Sequence, residues 1–171
     1  MDELELKKLL TDAKYLQYKI DFYVSTKVIH QQDITLGEIQ GHMQKSDHNL
    51  LFVKDNSTKY SDWALVGCYY ASYHAALALL LQQRVSSKNH DATLCLLIKY
   101  YSQKDLTEED FELLNFIYLD NQDILFYVES KQEREKASYS SQIEFDKKKI
   151  NELVMKTVMF VNKCKEILQN M

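Results

Sequence analysis

Apolar side chains recur through most of this chain at alternating three- and four-residue spacing, the pattern of helices that each bury one stripe. Leu6, Leu9, Ala13, Leu16, Ile20 and Tyr23 keep it, and Val24 and Val28 extend it, which predicts one long helix over residues 3–30. Thr35 stands where it caps a second helix carrying Leu36, Ile39, Met43, Leu50 and Val53. Gly37, Gly41 and Ser46-Asp47 lower its local propensity, with a break expected near Ser46. The polar run from Lys54 to Lys59 reads as a loop. Trp63, Val66, Tyr70, Tyr73, Leu77 and Leu80 then form one stripe of a central helix that ends at Arg84. A polar turn from Val85 to Asp91 separates it from another helix with Leu94, Leu97, Ile98 and Tyr101 on its apolar side.

Thr107-Glu108-Glu109-Asp110 offers a capping hydroxyl followed by carboxylates in the first turn, where they meet free amides and the positive end of the helix dipole. Phe111, Leu114, Tyr118, Leu125 and Val128 continue that stripe across the polar Asp120-Asn121-Gln122-Asp123, read as a kink or short break. The charged stretch Glu129 to Lys136 reads as a solvated helix end and Ser138 to Ser141 as a turn. Ile150, Leu153, Thr157, Val161, Cys164 and Leu168 mark the last helix. These elements predict one all-α domain over residues 1–171, an antiparallel bundle of about five to seven helices. Composition agrees. Hydrophobic residues make up 46%, enough for a core, and with no proline and three glycines the turn chemistry of hairpins and sandwiches is missing.

The formal net charge is −4 and the basic residues are scattered, Lys147-Lys148-Lys149 being the longest run, so no electrostatic footprint for duplex DNA is visible. The start, Met1-Asp2-Glu3-Leu4-Glu5-Leu6, lacks the basic and apolar regions of a signal peptide. No stretch is expected to be apolar and uncharged enough to span a membrane, which predicts a cytoplasmic protein. Cys68, Cys95 and Cys164 are odd in number, far apart and set in apolar helical patterns, which predicts buried thiols rather than a disulfide or zinc site.

Candidate chemistry concentrates around the polar turn. Arg84 and His90 stand six apart and link a fixed positive charge to the one side chain that titrates near neutral pH. That combination suits metal-free RNA cleavage: the histidine exchanges protons with the ribose hydroxyl or leaving oxygen, and the arginine stabilises charge on phosphorus. Equally, Arg84 ends one helix and His90 sits in the first turn of the next. Ser87, Lys88 and Asn89 with the amides that follow suit an anion such as phosphate, or Ser87 or Asn89 simply caps the helix. His74, in an apolar helix near Tyr70 and Tyr73, reads as a hydrogen-bonded core histidine. Glu38, His42, Asp47 and His48 lack recognised metal-ligand spacing, and no metal or cofactor is expected. Most of the twelve tyrosines fall at core-stripe positions; Tyr139, in a polar turn after Arg134, does not.

Trp63 through Leu80, then Ser87-Lys88-Asn89-His90-Asp91-Ala92-Thr93-Leu94, then Phe126 through Arg134 to Tyr139, resemble the HEPN superfamily of prokaryotic all-helical domains, closest to a largely archaeal branch. The order of tyrosine-rich helix, Ser-x-x-His turn, and Arg-x-x-x-x-Tyr before a last helix covers about residues 60–168. The resemblance implies a helical bundle, often dimeric. Many relatives are metal-independent endoribonucleases of toxin–antitoxin, CRISPR or other defence systems; others bind nucleotides or partner a minimal nucleotidyltransferase. The nuclease members space an arginine and a histidine as Arg84 and His90 are spaced, although here Val85 stands where a small polar residue usually follows and a turn intervenes. In the closer branch the matching positions are His90, Arg134 and Tyr139. The expectation is a ribonuclease with His90 as acid or base, Arg134 or Arg84 as phosphate clamp, and Tyr69 or Tyr139 orienting the substrate. The alternatives are a non-catalytic module binding a nucleotide, RNA or partner such as an antitoxin, and an oligomerising bundle in which His90 only opens a helix. A homodimer is expected.

Overall fold

The computed structural model describes residues 1–33, 35–118 and 147–170. Its elements, in order, are α1 (Glu3–Thr11), α2 (Ala13–Ser25), β1 (Ile29–Gln31), α3 (Leu36–Asn56), α4 (Ser61–Gln82), β2 (Val85–Ser87), α5 (His90–Tyr101), α6 (108–118) and α7 (Lys147–Gln169). The all-α bundle expected from the periodicity is what the chain forms.

The helix expected over 3–30 is instead α1, α2 and a strand. Asp12 leaves helical geometry (φ −118°, ψ 95°) and accepts the amides of Lys14 and Tyr15, both at 3.0 Å, so it caps α2. Its own N–H still closes α1 on Lys8. At the other end Lys27, with φ 58°, turns the chain out of α2 as Arg84, with φ 56°, turns it out of α4. Left-handed geometry here falls on a lysine and an arginine, each costing about 1–2 kcal/mol relative to ordinary helical backbone. The two exits deliver β1 and β2 side by side as an antiparallel ribbon with Ile29 opposite Ser87, His30 opposite Ser86 and Gln31 opposite Val85. Strands of three residues are too short to show a period in sequence, and none was expected.

α3 runs unbroken through Ser46, with no interruption there: the Ser46 hydroxyl is fully buried and donates to the Ala71 carbonyl at 2.8 Å. Thr35 caps α3, as its position predicts, accepting from the Glu38 amide. α3 and α4 lie antiparallel, with Val53 against Gly67, Ser46 against Ala71 and His42 against His74. Gly67 permits that approach, since a Cβ there would lie 2.4 Å from Val53 Cγ2.

α4 is central, but its buried side is broader than one stripe and differently placed. Ala64, Cys68, Ala71, Ser72, Ala75, Ala76, Leu79 and Leu80 are completely buried, whereas Trp63 and Tyr70 of the expected stripe are 48% and 40% exposed. Small residues let α3, α5 and α7 close on several sides of the helix at once, so no single stripe describes it. Trp63–Gln82 is also long and apolar enough to cross a membrane, with mean hydropathy 1.5, contrary to the expectation that no stretch approaches this. Seventy-two per cent of that window is buried within the bundle, as in a core helix.

α6 opens on the predicted Thr107 cap: Asp110 Oδ2 accepts from the Thr107 amide at 2.8 Å and its hydroxyl at 2.9 Å, and also receives Lys163 of α7. The three cysteines are buried free thiols, as their positions predict.

Candidate functional site

The best-defined polar cluster forms where α4, the start of α5 and the end of the described part of α6 converge. Asn89 adopts extended backbone (φ −145°, ψ 165°) and its side chain accepts the Ala92 amide at 2.8 Å, so His90 becomes the first residue of α5. Lys88 is tied by its amide to the Val28 carbonyl at 3.0 Å. The Ser87 and Thr93 hydroxyls bond to each other, and Thr93 also donates to the Asn89 carbonyl at 2.9 Å. This network sets where His90 emerges from the turn.

The His90 ring lies among three tyrosines. Tyr69 and Tyr73, one turn apart on α4, present ring edges or faces at 5.1 and 4.9 Å between centroids, and Tyr118 of α6 lies at 4.5 Å. His90 Nε2 shares a 2.7 Å hydrogen bond with the Tyr69 hydroxyl. His90 Nδ1 and the Tyr118 hydroxyl are buried with no hydrogen-bond partner among the described residues. Each such atom forgoes about 1–3 kcal/mol of solvation, a cost that makes a ligand or conformational change at the cluster physically reasonable.

Burial lowers the His90 pKa from its ordinary value; the Asp91 carboxylate opposes this and the charge on the N-terminal amine adds to it. That amine contacts Asp91 Oδ1 at 3.5 Å and Asn115 Oδ1 at 3.3 Å, while the Asn115 amide donates to the Met1 carbonyl at 3.1 Å. Burial, with the neighbouring Tyr73 and Tyr70 hydroxyls, raises the Tyr69 pKa, and burial drives that of Tyr118 well up. Near neutral pH the cluster therefore holds a neutral imidazole beside protonated phenols. A neutral imidazole is fit to accept a proton, and the adjoining phenol either orients it or passes a proton to it.

Of the residues singled out in sequence, Tyr69 and His90 meet directly. Ser87 and Asn89 lie beside them but serve the turn, and the Lys88 side chain is exposed. Arg84 is exposed at the opposite end of β2, where its carbonyl accepts the Gln32 amide, and it has no hydrogen bond or ion pair to His90. Arg134 and Tyr139 lie outside the described residues. Tyr73 and Tyr118 were read only as core positions. The spacing of Tyr69 and Tyr73 on one helix turn was available in sequence, but nothing local brings Tyr118 to them.

A second histidine pair lies on the α3–α4 seam, where His42 Nδ1 and His74 Nδ1 share a 3.0 Å hydrogen bond. His74 is thus hydrogen-bonded, as expected. Burial lowers both pKa values, with Lys45 contributing to each, and His74 reaches about 4. Of the other residues considered around a metal, Glu38 accepts from Thr35, and Asp47 pairs with Lys165. Among the described residues, no group of three or more His, Cys, Asp or Glu side chains is arranged to hold a metal.

No family model matches the chain. It is similar to a protein of Methanocaldococcus jannaschii named "Putative toxin MJ0142". The two are 28% identical over 113 residues, which cover 66% of this chain and 68% of that protein.

Proposed function

We propose that this chain is the toxin of a toxin–antitoxin pair and acts as a metal-independent, HEPN-like endoribonuclease centred on His90. The observation that supports this most directly is a half-buried histidine, kept neutral by its surroundings, whose Nε2 is hydrogen-bonded to the Tyr69 hydroxyl. In the proposed reaction Tyr69 yields its place and Nε2 takes the proton of a ribose 2′ hydroxyl. The 2′ oxygen then attacks the adjacent phosphorus, and the bond from phosphorus to the 5′ oxygen breaks. A 2′,3′-cyclic phosphate and a 5′ hydroxyl result, the latter receiving a proton from solvent or a second acid. The chain has two arginines, and since Arg84 faces away from His90, Arg134 is the one we assign to the phosphate. The similarity to a protein named as a toxin supports the biological setting.

One observation favours a second reading. With Nε2 held by Tyr69 and Nδ1 buried, His90 offers no free ring nitrogen in this conformation. The same cluster then serves as a pocket for a nucleotide or for a partner, such as a nucleotidyltransferase antitoxin, without turnover. Incubation with cellular RNA in excess chelator separates the two. The ribonuclease reading expects wild-type cleavage with cyclic-phosphate ends and at least a hundredfold loss in His90→Ala, with helicity retained. Equal cleavage by both proteins, or none by either, overturns it.

A further inference from the structure

Beyond the His90 cluster, the described surface has an aromatic strip whose composition is unusual for a bundle exterior. The α3–α4 turn opens into a groove of about 380 Å³ lined by Phe52, Asn56, Tyr60 and Trp63. The three rings are 38%, 45% and 48% exposed, in that order. Asn56 Nδ2 is committed to the Phe52 carbonyl at 2.9 Å, which holds the amide at the groove and leaves its oxygen as an acceptor. The Lys59 ammonium stands 5.1 Å from the centre of the Tyr60 ring.

The strip continues along α4. Tyr70 follows Trp63 by seven residues, or two helical turns, which places it on the same side roughly 10 Å further along the axis. Tyr70 is itself 40% exposed. Its ring meets Tyr69 edge to face at 4.8 Å, and the Tyr69 hydroxyl reaches His90 at 2.7 Å. Lys45 is close enough to this end to lower the pKa of both His42 and His74. Exposed rings at intervals, a fixed amide at one end and a lysine near each end therefore lead to the proposed catalytic histidine.

We infer that the Phe52–Tyr60–Trp63 groove and Tyr70 form a stacking track for single-stranded RNA, delivering the strand to His90. Unpaired bases offer faces to stacked aromatic side chains whatever their sequence, while lysines meet the backbone phosphates. The charge and the amide favour this occupant over a second copy of the chain, for which an exposed lysine and hydrogen-bonding groups in the groove supply no matching apolar surface. The inference rests on the ribonuclease reading for its direction of travel, but its binding can be measured apart from cleavage.

Trp63 is the chain's single tryptophan, so its fluorescence reports on this groove alone. The experiment titrates the His90→Ala full chain with a short single-stranded oligouridylate, and separately with an RNA duplex of equal length. It follows Trp63 emission, and it uses anisotropy of labelled oligouridylate for the Tyr60→Ala and Tyr70→Ala variants. The track predicts saturable quenching by the single strand, little by the duplex, and about tenfold or greater weakening in each variant, with helicity unchanged. Absence of quenching, or unchanged affinity in both variants, overturns it even if wild type cleaves RNA, since the ribonuclease reading then stands without the track. Quenching with the expected losses supports the track even if no cleavage is found. Emission that instead changes with protein concentration, accompanied by dimer dissociation in the Tyr70→Ala variant and no response to RNA, assigns the strip to a second copy and overturns the proposal.

Discussion

Acidification should weaken the α3–α4 seam through the His42–His74 pair. One Nδ1–H donates across 3.0 Å to the other ring's bare Nδ1, so the bond needs at least one neutral ring. The His74 pKa falls from its ordinary 6.5 to about 4, first through burial, then through His42 and Lys45. The unfolded chain therefore takes up this proton before the folded chain, and stability rises with pH across that interval. The contribution is fully present above about pH 6.5 and is lost as pH falls toward about 4. A displacement of that size corresponds to about 3 kcal/mol. The rings are only half-buried, and solvent screening reduces the expected effect to about 1–2 kcal/mol.

Urea unfolding of wild type and His74→Gln at pH 7.5, 6, 5 and 4.5 tests this. The variant keeps a hydrogen-bonding amide but has no proton to gain, so wild type should lose about 1–2 kcal/mol more than the variant between the extremes. His90 titrates in both proteins and cancels in the comparison. Identical pH profiles, or a His74 ring proton titrating near pH 6.5 by NMR, would refute the reasoning.

Two further outcomes follow from packing and burial. Gly67→Ala places a methyl group 2.4 Å from Val53 Cγ2; overpacking of about 1–3 kcal/mol against a helix-propensity gain of about 1 kcal/mol leaves a net loss of about 0–2 kcal/mol. Adding Val53→Ala should recover part of the clash, so additive losses in a double-mutant unfolding cycle would contradict the close seam. Burial raises the Cys68 pKa to about 11 and that of Cys95 to about 12, with Cys164 higher still. A thiol reagent at pH 8 should accordingly label none of the three until urea unfolds the chain, and rapid labelling of the native protein would show that a thiol is accessible.

Helix caps were the most legible part of the site's framework. Thr35, Asn89 and Thr107 act within three residues of themselves, so their roles could be read from neighbouring residues before any packing was known. Asp12 obeys the same rule, but an apolar stripe continuing across it concealed the break between α1 and α2. Arg84 and His90 show the opposite limit. Their spacing suggested partnership, yet a left-handed backbone at Arg84 and the strand after it turn the guanidinium away from His90.

By itself the sequence determined that the chain is helical, where most helices begin, and that its cysteines lie inside. These follow from periodicity, capping and hydrophobicity, which act over a turn or through each side chain's own cost of hydration. Only the tertiary structure decided that Tyr69, Tyr73 and Tyr118 surround His90, that His42 meets His74, and that Trp63 and Tyr70 stay at the surface. Those outcomes depend on how each helix is rotated and how closely its neighbours approach. That is set by the combined shapes of residues far apart in sequence, and here above all by the small side chains that let α4 be enclosed from several directions.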